Sequence, residues 1–233
     1  MTISKDAFTA AASKTYDALK PLFKASDNFW RLGHTFDTII DYFATVTTSD
    51  AKNFASTAYE RYITTVDPKL QKACLYDDFG WWGIAGLKAS WSNYFGDWTA
   101  KFKEIAPSCW NTLDGKGANV WKNADQQKWR KLRPRFGGGV WNCAWNDRGV
   151  PGDCATPCNP PARTDAIRGF QNTVTNGLYF VLAARLFAAS NDAQFKAAAD
   201  REYGFLRQWF KAHDPLNPSV EPLLNSEVPS GGV

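Results

Sequence analysis

Apolar residues recur every three to four positions along most of this chain, and no stretch alternates apolar with polar residues as a half-buried strand does. That spacing predicts helices over roughly 5–23, 28–46, 50–65, 79–95, 97–111, 121–131, 164–189 and 192–212. The breaks have chemical causes. "VDPKL" sets Pro68 after Asp67, "LDGKGANV" supplies two glycines, and "RPRFGGGVW" cannot continue a helix through Pro134 and three glycines. A long loop from about 132 to 163 and a proline-rich tail, "HDPLNPSVEPLLNSEVPSGGV", fall outside the pattern. The implied fold class is all-α, with one domain over 1–212 and an irregular tail over 213–233. The sequence has no fixed-period repeat of the usual solenoid kinds.

Composition changes this picture in one respect. A chain of 233 residues with 44% hydrophobic content can bury a core, but 11 Trp beside 16 Phe and 8 Tyr is rich in indole. Flat indole faces stack well on sugar rings, so some should line a cleft; for any single Trp, filling space between helices competes equally. The net charge of +4 gives no strong steering toward polyanions. The basic run "KWRKLRPRF" (Lys128, Arg130, Lys131, Arg133, Arg135) reads as a solvated loop face, and no nucleic-acid partner is expected. No apolar run is long enough to span a membrane, and "MTISKDAFTAAASKTYDALKPLF" is an amphipathic helix rather than a secretory signal. Cys143, Cys154 and Cys158 in "CAWNDRGVPGDCATPCNPP" suit a loop-closing disulfide and make a poor zinc site, so no metal or cofactor is expected.

Three segments can carry chemistry. In "YDDFGWWGIAGL", residues 76–87, Asp77 and Asp78 precede Trp81 and Trp82. Adjacent aspartates before an apolar helical run read first as N-caps at the positive end of the helix dipole. They can also be a catalytic pair, because retaining glycoside hydrolysis needs two carboxyl groups about 5–5.5 Å apart. In "FGGGVWNCAW", residues 136–145, three glycines permit close backbone approach, and Trp141 and Trp145 offer stacking faces. A phosphate loop is the weaker reading, since the Lys-Ser/Thr ending and a preceding strand are missing. In "FQNTVTNGLYFVLAARLF", residues 170–187, Phe170, Val174, Leu178, Leu182 and Arg185 form a core-like stripe. Asn172 and Asn176, four apart, share another face with Tyr179 beside it. Buried amides need partners: they either bond neighbouring backbone or orient the aspartates or a sugar hydroxyl.

Taken in order, these segments resemble glycoside hydrolase family 76, the endo-α-1,6-mannanases, and especially its fungal cell-wall members, over roughly residues 25–210. The resemblance implies an (α/α)6 toroid and retaining hydrolysis of α-1,6-mannan, with Asp77 as nucleophile and Asp78 as general acid/base. It places Trp81, Trp82, Gly138, Gly139, Trp141, Asn172 and Asn176 near the substrate, with both aspartates facing one aromatic-walled groove. A polysaccharide partner and a secreted or cell-wall location follow from it, although this chain carries no signal peptide. Transglycosylation shares the covalent intermediate and differs in what attacks it. A non-catalytic carbohydrate-binding protein, an inactive truncated homologue and a purely structural helical scaffold are the alternatives. The chain departs from the family pattern at Phe136, where relatives often carry Cys, and at Gln171, where many carry Lys. About seven or eight helices, against about twelve in a closed ring, suggest a truncated member with exposed inner-helix faces and a tendency to associate.

Overall fold

A computed structural model of the chain describes residues 4–46, 49–66, 76–114, 139–140, 143–144, 169–170 and 173–212. Among these the fold is all-α, apart from one short ladder. The helices are α1 (Lys5–Ala25), α2 (Phe29–Thr45), α3 (Asp50–Val66), α4 (Tyr76–Ser90), α5 (Trp98–Thr112), α6 (Thr173–Ser190) and α7 (Ala193–Ala212), with a 3-10 turn at Asn93–Phe95. Strand β1 (Cys143–Ala144) pairs antiparallel with β2 (Gly169–Phe170), with Cys143 opposite Phe170. The expected helix over 121–131, the cysteine-rich loop and the tail over 213–233 lie outside the described residues.

The helices start and stop for local reasons. Ser4 caps α1 by accepting the Ala7 amide, and Asn28 caps α2 by accepting the Arg31 amide. α6 ends where Asn191 turns left-handed at φ 56°, and Asp192 then accepts the Gln194 amide at the start of α7. Two boundaries differ from the sequence reading. α4 begins at Tyr76 rather than at 79, so Asp77 and Asp78 lie inside its first turn instead of preceding the helix as caps. The helix expected over 164–189 begins only at Thr173, because Gly169 and Phe170 are taken into the ladder.

Two compact units are distinguished, residues 1–71 with 81–108, and residues 72–80 with 109–233. The first unit is held by aromatic packing. Phe36 on α2 meets the rings of Phe23, Phe54, Trp82, Phe95 and Phe102 at centroid distances of 5.1–6.5 Å. All but Trp82 are phenylalanines, every one of these rings is buried, and each contributes roughly 1.5–3 kcal/mol of apolar burial. Small residues let the helices approach: a methyl on Gly86 of α4 would stand 2.7 Å from Cβ of Ile105 on α5. Asp50 at the start of α3 accepts from both Tyr16 and Lys20 of α1.

The second unit is built on α6 and α7. α6 buries Thr175, Asn176, Leu178, Tyr179, Leu182, Ala183 and Leu186. The stripe expected along it is rotated: Leu178 and Leu182 are buried, but Val174 and Arg185 are exposed. The reason is that Asn176 takes a core position that a hydropathy pattern gives to solvent. Trp110, near the end of α5, packs edge-on against Phe195 of α7 at 4.8 Å and stacks on Tyr179 of α6 at 6.4 Å.

Candidate functional site

The segments of the second unit that hold the candidate chemistry meet on α6. The first turn of α4 carries Asp78, 7% exposed, and Asp77, half-buried. Acidic side chains there face the positive end of the helix dipole. One turn on, Gly80 lies against α6 so closely that an added methyl would stand 2.6 Å from Cβ of Leu178. Only a residue without Cβ permits that approach, and it brings the aspartate-bearing turn onto the helix of "NTVTNGLYF".

The same helix fastens the glycine loop. The Val140 N–H donates to Oδ1 of Asn176 at 2.7 Å, and Nδ2 of Asn176 donates to the Val140 carbonyl at 3.2 Å. One buried amide thus satisfies both backbone groups of one residue, as a neighbouring strand would. The preceding residue, Gly139, has φ 84°, a backbone conformation that favours glycine, which gives one physical need for the "GGGV" sequence. Of the two readings of Asn176, the bond to backbone is the one realised.

Beside this loop stands a polar cluster that the sequence reading did not single out. The Tyr179 hydroxyl donates to Oδ1 of Asp114 at 2.7 Å. Arg201 of α7 donates to the Tyr179 oxygen at 2.8 Å and lies 3.4 Å from Asp114. Burial, followed by the Asp114 acceptor, pushes the Tyr179 phenol above its usual range. Next along α7, Glu202 is 0% exposed. Burial drives its pKa up from 4.5 to about 8, against the opposing pull of Arg201 and of the Gly139 backbone amide. A signal for it was present. Phe195, Ala198, Ala199, Phe205, Leu206 and Trp209 are buried at helical spacing around it, so Glu202 lies at the centre of an apolar stripe.

The remaining candidates separate. Trp82 belongs to the first unit and is 0% exposed, with its Nε1–H donating to the Phe29 carbonyl at 2.8 Å and its ring against Phe29, Phe36 and Tyr62. Its surroundings are those of a packing residue, with no face left for a sugar. Trp81, in the same unit, is half-buried with its ring edge-on to His34 at 4.9 Å. Gly138, Trp141 and Asn172 lie outside the described residues.

Among the described residues no group of three or more His, Cys, Asp or Glu is arranged to hold a metal ion, and no helix is long and apolar enough to cross a membrane. In comparisons with known proteins, no family model, no curated protein and no solved structure matches this chain.

Proposed function

We propose that the chain is a retaining α-mannan-active glycosidase or transglycosidase of the family 76 type, with Asp77 and Asp78 as its working carboxyl groups. One observation carries this reading: the aspartate-bearing first turn of α4 and the Gly139–Val140 loop both attach to α6, at Leu178 and Asn176. Three segments distant in sequence, each a candidate on its own chemistry, are thereby members of one compact unit.

In the proposed reaction the Asp77 carboxylate attacks the anomeric carbon while Asp78 donates a proton to the departing glycosidic oxygen. A covalent mannosyl ester forms on Asp77. Asp78, now a carboxylate, takes a proton from water in hydrolysis, or from a sugar hydroxyl in transglycosylation, and that oxygen displaces the ester. The all-α class is the one an (α/α)6 toroid requires, and a polysaccharide substrate accords with a cell-wall or secreted setting.

The test is turnover of α-1,6-linked mannan by wild type, Asp77→Asn and Asp78→Asn. Each variant should lose about 10²–10⁴-fold in rate, the usual contribution of such a group. If wild type is active and both variants keep full rate, the assignment of roles fails. Mannan binding without turnover in wild type would replace the enzyme reading by that of a carbohydrate-binding protein.

A further inference from the structure

The Tyr179–Asp114–Arg201 cluster of the second unit is only half used by the fold. Tyr179 is 0% exposed, and Trp110 stacks on its ring at 6.4 Å, so its phenol is a fixed post. Two more open groups are tied to it. Oδ1 of Asp114 accepts the phenol proton at 2.7 Å. Nη2 of Arg201 donates to the phenol oxygen at 2.8 Å and approaches the same Oδ1 at 3.4 Å. Every side-chain bond of the cluster thus runs through Oδ1 and Nη2. Among the described residues, Oδ2 of Asp114 and Nη1 and Nε of Arg201 bond to no protein group. The Arg201 and Asp114 side chains keep 43% and 31% of their surface open. Asp114 also stands in a π turn over 113–114 that follows α5, a rare backbone form often found at functional sites.

An acceptor and a donor side by side, of opposite charge, select their ligand by elimination. An anion is opposed by the Asp114 carboxylate and a cation by the Arg201 guanidinium. A neutral group that donates with one atom and accepts with its neighbour satisfies both halves at once. Two hydroxyls on adjacent ring carbons of a sugar have that form: one O–H donates to Oδ2 of Asp114, and the next oxygen accepts from Arg201. We propose that Asp114 and Arg201 form a binding site for a vicinal diol of a sugar, with Tyr179 as the positioning residue that joins them. Because Tyr179 holds the two heads in register beforehand, little side-chain freedom is lost on binding. Hydrogen bonds to charged groups are the stronger kind, and a site built on them rejects a sugar that lacks one of the hydroxyls. The cluster belongs to the same compact unit as Asp77 and Asp78, and Tyr179 follows Leu178, the residue that the aspartate-bearing turn meets at Gly80. Mannose as the sugar rests on the glycosidase reading; recognition of the diol does not.

The experiment is a nitrogen-15 NMR titration of the full chain with α-1,6-mannobiose and with its 3-deoxy analogue. That analogue lacks the hydroxyl common to both neighbouring pairs of a 1,6-linked mannose. The probe is the side-chain Nε–H of Arg201, identified by its absence in Arg201→Lys. It should move saturably with mannobiose, and the 3-deoxy sugar should bind there at least about tenfold more weakly. By calorimetry, Asp114→Asn and Arg201→Lys should each raise the Kd for mannobiose at least about tenfold. Tyr179→Phe keeps the ring and should shrink the affinity ratio between the two sugars, a change that a purely structural role does not produce. The wild-type comparison of the two sugars stands even if a variant does not fold. An Arg201 signal that ignores mannobiose overturns the inference, and so does equal affinity for both sugars. Diol binding at this cluster without turnover of α-1,6-mannan keeps the inference and removes the glycosidase reading; turnover with an insensitive Arg201 does the reverse.

Discussion

Asn176 and Val140 are bonded to each other twice, amide oxygen to backbone N–H and amide nitrogen to backbone carbonyl, across 36 positions of sequence. Replacing Asn176 with Ala leaves two buried backbone groups without these partners. Each net hydrogen bond contributes about 1 kcal/mol, and each stranded group costs about 1–3 kcal/mol. Asn176→Ala should therefore lower unfolding stability by roughly 2–4 kcal/mol in urea titration. Asn176→Asp should be at least as damaging at neutral pH, because it sets an acceptor against the Val140 carbonyl. A loss below about 0.5 kcal/mol in both would mean that the loop is held by something else.

The glycines divide into two kinds with opposite expected signs. A methyl on Gly80 would meet Cβ of Leu178 at 2.6 Å, so Gly80→Ala should destabilise by about 1–3 kcal/mol. Leu178→Gly in the same chain removes the Cβ that the new methyl meets and should recover part of that steric loss, giving a measurable coupling in a double-mutant cycle. Gly177 on α6 and Gly204 on α7 have nothing within 4 Å of the added methyl. There Ala should stabilise by about 0.5–1 kcal/mol through helix propensity. Equal effects at all three positions would contradict the packing of α4 onto α6.

The adjacent tryptophans should separate in the same way. Trp82→Phe removes the indole N–H that bonds the Phe29 carbonyl at 2.8 Å and leaves a void among Phe36, Tyr62 and Gly33. A cost of roughly 2–4 kcal/mol is expected by chemical denaturation. Trp81 keeps exposed surface, so Trp81→Phe should cost less than about 1 kcal/mol. Comparable losses at both sites would mean that Trp81 is also a core residue.

The sequence carried the helices well where ordinary causes end them. Asn28, Asn191 and Asp192 cap or stop helices by local bonding, and a 3.6-residue period places Phe36, Ile39, Ile40 and Phe43 on one buried face of α2. It failed where a polar residue takes a core position. Asn176, read as an amide in need of partners, and Glu202, which the sequence reading passed over, are both buried, and the expected stripe of α6 is rotated accordingly. The run "DREYG" looks like a charged surface until the apolar residues three and four positions to either side are counted. Tertiary partners explain the other surprise. Nothing local in "WW" tells Trp82 from Trp81; the difference is the close approach of Gly33 and the Phe29 carbonyl, which lies 53 positions before Trp82.

Glu202 gives the stability curve a slope of defined sign. Its pKa is about 4.5 when unfolded and about 8 when folded, so between those values the folded chain holds a proton that the unfolded chain has released. Raising pH through that window favours unfolding, by up to about 1.4 kcal/mol per pH unit from this group. Below about 4.5 both states are protonated, and the contribution vanishes. The useful quantity is a difference between two chains that differ only at this group. Glu202→Gln keeps the shape and removes the titration. It brings its own cost for a buried amide, but that cost is independent of pH. The free-energy difference between Gln variant and wild type, followed by urea unfolding from pH 4 to 9, should therefore move in favour of the variant as pH rises. The total change should be on the order of a few kcal/mol and should level off above about pH 8. A difference that stays constant with pH would mean that the folded chain holds this carboxyl no more tightly protonated than the unfolded one.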